Sequence, residues 1–176
     1  MQVCSMLSHK FECMRLLSEN FLIKPLCAFE LESLIDSLKT GSEFELAKIN
    51  PNQISKDLKH ALEETILPEV NKHPNDYLLH TIWIIILKES LSLVGFFSFS
   101  QPASDKRKID LSLSVFDEYK ERNQIQEAIY IILQWLGIQQ VYNKIQFYNE
   151  LDLDLNSVFE KNDFIPMTNN LFVKKL

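Results

Sequence analysis

Glycine is scarce in this chain. Three occur among 176 residues, Gly41, Gly95 and Gly137, where ordinary usage of about 7% would give roughly twelve. Isolated glycines leave no G-x-G-x-x-G dinucleotide loop, no P-loop and no G-x-S-x-G nucleophile elbow. Cysteine is also sparse: Cys4, Cys13 and Cys27 make an odd count with no C-x-x-C, which fits a reducing compartment better than a disulfide framework. Basic excess is missing, since 18 Lys and Arg face 24 Asp and Glu for a net charge of −6. Such a chain repels a phosphate backbone, so no nucleic-acid partner is expected. The basic run Lys106-Arg107-Lys108 lies between Asp105 and Asp110 and reads as a solvated hairpin tip. Long apolar runs are absent too. Ile82–Leu87 spans six residues, against about 20 for a membrane crossing. With no signal-like N-terminus, a cytoplasmic chain with no membrane partner is expected. His9, His60, His73 and His80 show no H-x-x-x-H and no cysteine at ligand spacing, so no metal is expected.

What is present is ordinary globular material, 46% apolar and 24% charged. One domain over 1–176 is expected, large enough to bury about 70% of its unfolded surface. Met14–Lys24 reads as a first strand ending at Pro25. Leu31, Leu34, Ile35 and Leu38 fall at helical spacing, with Gly41 as a C-terminal stop. Asn50-Pro51 starts a second helix, Asn as N-cap and Pro at the first helical position, running to about Leu67. Leu79–Leu87 and Leu91–Ser100 form a hairpin across Lys88-Glu89-Ser90. Ile109, Leu111, Leu113 and Val115 alternate with polar residues as a third hairpin strand. Ile125, Ala128, Ile129, Ile132, Leu133 and Leu136 mark the strongest helix, with Gly137 closing it. A short strand at Asn143–Tyr148, a short helix at Leu155–Asn162 and a terminal hairpin of Phe164–Met167 and Leu171–Lys175 complete the order. The strand–helix–strand unit requires two parallel strands with the helix packed on the sheet.

This order, with several local strings, resembles the GNAT N-acetyltransferase family, in particular its ribosomal-protein branch. Trp83-Ile84-Ile85-Ile86-Leu87-Lys88 followed by Leu93-Val94-Gly95-Phe96-Phe97 is similar to the family's second and third strands. Val115-Phe116-Asp117-Glu118-Tyr119-Lys120 resembles the approach to the acyl-CoA loop. Glu127-Ala128-Ile129 with Trp135 resembles the helix after it. Phe159-Glu160-Lys161-Asn162-Asp163-Phe164 resembles the closing E-K-x-G-F. The resemblance implies an α/β (α+β) fold with a mixed sheet of about seven strands, antiparallel in its N-terminal part, with a central parallel pair and helices on both faces.

It also implies transfer of an acetyl group from acetyl-CoA, as co-substrate without a metal, to an amine acceptor, by a monomer or homodimer. Backbone near Leu113, Ser114 and Val115 would hold the pantetheine. Lys120, Glu121, Arg122, Asn123, Gln124 and Ile125 would form the pyrophosphate loop, where helix N-terminal amides favour an anion. Asn149 matches the family's asparagine before the closing segment, with three extra residues intervening. Asp110 matches a frequent strand-four glutamate and is the candidate general base; its structural alternative is an outward carboxylate on an amphipathic strand.

The sequence departs from the family at identifiable places. Asn123 stands for the loop's first glycine, and Ile125 for a small residue, where its branched side chain would crowd the phosphates. Glu121 adds a negative charge, offset by Lys120 and Arg122. Phe159 stands where many members have a tyrosine acid, leaving Tyr148 or Tyr142 as hydroxyls, and Asp163 replaces the closing glycine. The departures keep a second expectation open: a noncatalytic protein of the same fold that senses acyl-CoA or binds a partner. Trp83, Phe96, Phe97 and Phe99 read as core, with a ligand platform as the alternative.

Overall fold

The computed structural model describes residues 14–102, 105, 107–120, 125–139, 142–148, 156–161, 163–168 and 171–175. Its elements are β1 (Leu16–Leu17), β2 (Phe21–Pro25), α1 (Ala28–Thr40), a 3₁₀ turn (Pro51–Gln53), α2 (Lys56–Ala61), a π-helical turn (Leu62–Ile66), α3 (Leu67–Lys72) and a second 3₁₀ turn (Tyr77–Leu79). There follow β3 (Ile82–Leu87), β4 (Ser92–Ser100), β5 (Lys108–Val115), α4 (Asp117–Lys120), α5 (Ile125–Ile138), β6 (Lys144–Tyr148), α6 (Asn156–Lys161), β7 (Ile165–Pro166) and β8 (Leu171–Lys175). The strands make one eight-stranded sheet in the order β1-β2-β3-β4-β5-β6-β8-β7. Every neighbour is antiparallel except β5 and β6, which run parallel. The α/β (α+β) mixed sheet with a central parallel pair is thus present, with one strand more than the seven expected.

The extra strand comes from Met14–Lys24. Phe21 N–H donates to Ser18 Oγ (2.9 Å) and Ser18 N–H to the Phe21 carbonyl (3.0 Å), so a tight turn folds this segment into the β1–β2 hairpin. All six residues of β3 are buried, which requires cover on both faces of the sheet. Trp83, Phe97 and Leu113 share one face by register, and Trp135 of α5 lies 4.5 Å from Trp83. Phe159 of α6 stacks on Phe172 (4.0 Å) and touches Phe147 on the same side. The opposite face, carrying Ile82, Ile84 and Ile86, is buried as well.

Helix ends follow local chemistry. Glu30 accepts the Cys27 N–H (3.1 Å) at the start of α1. Gly41 closes it in the left-handed region (φ 73°), its N–H reaching the Ser37 carbonyl at 2.9 Å. The second helix departs from the sequence reading. Asn50 caps only the 3₁₀ turn, by accepting from the Asn52 N–H. Ile54 then adopts extended backbone, and Ser55 caps α2 anew. The helical arm also continues past Leu67 to Lys72 through Pro68. A proline lacks the N–H and collides with the carbonyl four residues back, and the π-helical turn ahead of it supplies the shifted register. The segment 79–81 is not strand: Tyr77–Leu79 turns in 3₁₀ geometry and β3 begins at Ile82. Gly137 is not the end of α5, which includes Ile138.

Candidate functional site

Among the described residues the parallel pair ends in a fork: its register runs from Lys108↔Lys144 to Ser112↔Tyr148, the last described residue of β6. β5 continues through Leu113, Ser114 and Val115, paired to β4 on the other side as Leu113↔Phe97, Ser114↔Phe96 and Val115↔Gly95. The edge of these three residues that faces away from β4 is therefore free of strand pairing among the described residues. A free strand edge is a row of backbone donors and acceptors open to an extended ligand.

Gly95 makes the fork's geometry possible. Across β3 and β4 the register slips, Ile85 facing Gly95 and Ile86 facing Leu93, so Val94 bulges. The bulge turns the Val94 carbonyl to the Phe116 N–H (2.9 Å) just past the end of β5. It also presses Gly95 against β5: a Cβ there would lie 2.2 Å from the Ser114 carbonyl oxygen.

A cleft of about 470 Å³ opens at this end of the strands. Phe96, Ser114, Val115 and Glu118 form one wall; Asn52, Gln53 and Ser55 from the helical arm form the other. Its charged lining residues, Asp117 and Glu118, are both acidic. Sequence reading missed Asn52, Gln53 and Ser55, which follow no motif beyond the cap at Asn50-Pro51, and left Glu118 without a role inside the string Val115–Lys120. A larger hollow of about 560 Å³ lies between the loop 41–51 and Leu91 and brings together none of the sequence-predicted residues.

The candidates named from sequence distribute as follows. Leu113 and Val115 point into the core, and Ser114 is half-buried toward the cleft. Lys120 ends α4 with its ammonium on Asp117 (2.6 Å). Ile125 opens α5 with its side chain buried in the core; its N–H belongs to the helix N-terminus. Glu121, Arg122, Asn123, Gln124 and Asn149 lie outside the described residues. Asp110 sits on the same strand face as Ser114, four residues back, about 13 Å along the strand at 3.2–3.4 Å per residue. Lys108 Nζ lies 3.2 Å from its Oδ1. That oxygen has no well-formed hydrogen bond, nor has Gln146 Oε1, and both are buried. Asp110 and Gln146 are register partners, so an ion-paired carboxylate and an unbonded amide oxygen stand on adjacent strands, a setting that water fills.

Of the hydroxyls, Tyr148 ends β6 opposite Ser112, at the fork, and is 40% exposed. Tyr142 is buried ahead of β6, at the other end of the strand; burial first, and Asp76 second, push its phenol up to about 12. Phe159 is 1% exposed inside the aromatic cluster of Phe147, Phe164 and Phe172. Asp163 adopts φ 59°. Its N–H reaches the Glu160 carbonyl (3.1 Å) and the Phe164 N–H reaches that of Phe159 (2.9 Å), a Schellman closure of α6. The left-handed residue thus falls where the resembled family has glycine. Trp83 and Phe97 are core, with the Trp83 indole N–H on the Leu78 carbonyl (2.7 Å); of the four aromatics, Phe96 is the one that lines the cleft.

An antiparallel half-sheet, a parallel pair forked beside a bulged strand, and a helix opening past the fork together constitute the GNAT acetyltransferase fold, in agreement with the resemblance read from the sequence. A ribosomal-protein alanine acetyltransferase from Vibrio fischeri superposes with a TM-score of 0.57 at 15% identity, covering 92% of this chain and 96% of that one. A GNAT-family acetyltransferase from Bacillus anthracis gives 0.53 at 14%, covering 92% and 98%. RimL, a ribosomal-protein α-N-acetyltransferase solved in complex with coenzyme A, gives 0.53 at 12%, covering 92% and 97%. No protein-family model matches the sequence, and no curated protein matches it. No helix among the described residues is long and apolar enough to cross a membrane.

Proposed function

We propose that the protein is an N-acyltransferase that moves an acetyl group from acetyl-CoA to an amine. The observation that carries this reading is the fork: among the described residues β5 extends three residues beyond its last pair with β6, and the Leu113–Val115 edge has no strand partner beside the cleft. Pantetheine amides pair with that edge. The pyrophosphate lies on the segment formed by Lys120, Glu121, Arg122, Asn123, Gln124 and the N–H of Ile125, where helix N-terminal amides and two cations favour it. Asn149 is assigned to the pantetheine by the family resemblance. The amine enters through the cleft, where Glu118 attracts its cationic form; Asp117 is paired with Lys120. Acceptors are therefore amines on basic small molecules or on protein N-termini and side chains.

The reaction is direct. The neutral amine nitrogen attacks the thioester carbonyl, a C–N bond forms, and the C–S bond breaks to release thiolate. The ammonium proton passes along water to Asp110 before attack, and the second proton leaves the adduct nitrogen to water; at about 13 Å from Ser114, the carboxylate is beyond direct reach. Asp110 Oδ1, ion-paired to Lys108, and Gln146 Oε1, which has no hydrogen bond, anchor the end of that water chain. Tyr148, at the fork, returns a proton to the thiolate, since Phe159 has none to give. Such proton transfers contribute about 10²–10⁴ in rate.

Free-thiol release from acetyl-CoA, measured against a panel of polyamines and peptides with free N-termini, tests the reading. Turnover with at least one cationic amine is expected, with Asp110→Asn and Tyr148→Phe each slower by at least ~100-fold. A second reading, a noncatalytic acyl-CoA sensor of the same fold, is favoured by the buried Phe159 in the tyrosine position. Binding without turnover across the panel would establish that alternative.

A further inference from the structure

Away from the fork, at the opposite end of β3–β6, three side chains from separate turns converge. Glu69 and His73 lie at i and i+4 at the end of α3, and His80 follows the 3₁₀ turn that leads into β3. One oxygen of Glu69 and one ring nitrogen of each histidine all fall within 4.8 Å of one another. His73 Nδ1 is 3.7 Å from Glu69 Oε2 and 3.0 Å from the Glu69 carbonyl oxygen, which steers the ring over the helix end. The two imidazoles stack face to face, centroids 4.0 Å apart and planes 10° apart. Both rings cannot be cationic at that separation without repulsion. The other charged groups around them are Lys72, whose ammonium holds Glu69 Oε1 at 2.6 Å, and Asp76, which acts on His80. Glu69 Oε2 remains available.

We propose that Glu69, His73 and His80 form a zinc site, with three protein ligands and a water in the fourth position. Two imidazoles and a carboxylate are a donor set that suits Zn²⁺ over Mg²⁺ or Ca²⁺. Tetrahedral coordination at 2.0–2.2 Å places ligand atoms about 3.4 Å apart. The donors therefore close by roughly 1.4 Å at most from the spacing given above, and the near-parallel rings rotate apart so that their lone pairs converge. His73 and Glu69 are both more than a third exposed and have room to do so. The sequence spacing gave no sign of the site, because Glu69-x-x-x-His73 is a common helical pair and His80 joins it only through the turn at Pro74–Asp76. A metal here ties the end of the helical arm to the start of the central strand β3. The site is separate from the fork and independent of the acyl-transfer reading.

The test uses the full chain stripped with chelator, then titrated with Co²⁺ and with Zn²⁺ at neutral pH. We expect 1:1 binding, visible d–d absorption of tetrahedral intensity displaced by Zn²⁺, and an unfolding midpoint raised by about 5–11 °C at a hundredfold excess over Kd. His73→Gln and His80→Gln should each weaken Zn²⁺ binding at least ~10-fold. In the unmutated protein, Zn²⁺ should shift the ring resonances of His73 and His80 and leave His60 unmoved, a readout that needs no variant to fold. Absence of 1:1 binding, unchanged affinity in folded variants, or no shift of the His73 and His80 resonances would each overturn the proposal.

Discussion

Placing one methyl group on Gly95 tests the geometry of the fork directly. The new carbon would sit 2.2 Å from the Ser114 carbonyl oxygen, 3.0 Å from Val115 Cα and 3.1 Å from the Ser114 carbonyl carbon. All three are backbone atoms, so no side chain can swing aside. Relief requires β5 to move away by roughly 1 Å or the Val94 bulge to unwind. Overpacking of this kind costs about 1–3 kcal/mol, and a domain of this size loses about 2–4 °C per kcal/mol. Gly95→Ala should therefore lower the unfolding midpoint by about 2–12 °C. Gly137→Ala is the matched control. It adds the same methyl inside α5, where nothing lies within 4 Å, and alanine exceeds glycine there by about 0.5–1 kcal/mol. Calorimetry of the three proteins decides the matter: Gly95→Ala should be destabilised and Gly137→Ala stabilised. A Gly95→Ala protein as stable as the parent would refute the close approach of β4 and β5. A second readout follows, because displaced Ser114 and Val115 backbone should also weaken acetyl-CoA binding.

Other perturbations give equally definite outcomes. Leu91 is a leucine at φ 57° and is more than half exposed; the left-handed region costs an L-residue about 1–2 kcal/mol, and Leu91→Gly should raise stability by up to ~1 kcal/mol after the larger chain entropy of glycine is offset, read as a midpoint gain in calorimetry. Glu127 is opposed by burial, yet hydrogen bonds from Asn20 (2.7 Å to Nδ2, 3.1 Å to N) and from Ser18 and Glu19 hold its carboxyl below the ordinary value of 4.5. A carboxyl so depressed stabilises the fold above that ordinary value, and the contribution disappears as pH falls through the folded one; denaturant titrations in acid should show a shallower loss for Glu127→Gln than for the parent. Lys120→Glu should weaken acetyl-CoA binding by calorimetric titration, and equal affinity would move the pyrophosphate away from α4.

Much of the fold is legible in the sequence, because the strongest signals are long and periodic. The alternation of Ile109, Leu111, Leu113 and Val115 and the helical spacing from Ile125 to Leu136 place the strand–helix–strand unit correctly. Failures fall where local chemistry overrides periodicity. One serine hydroxyl folds Met14–Lys24 into a hairpin, Ser55 starts the helix that the sequence assigns to Asn50, and the π-helical turn carries the chain through Pro68. Gly137 looked like a stop because helices often end on glycine, yet its position in α5 needs no left-handed backbone. At the site, Leu113–Val115 were legible as strand, while the opposing wall of Asn52, Gln53 and Ser55 was not. Those residues reach the cleft only by tertiary packing, and short polar side chains in a turn carry no pattern of their own. The cluster of Glu69, His73 and His80 escaped for the same reason.

Titration of acetyl-CoA into the unmodified chain, by calorimetry alongside thermal unfolding, tests the central claim most directly. The fork reading predicts saturable 1:1 binding and a midpoint raised by about 5–11 °C at a hundredfold excess over Kd, with both effects reduced in Gly95→Ala. No heat and no shift at millimolar acetyl-CoA would contradict it, leaving a GNAT fold whose open strand edge serves some other ligand.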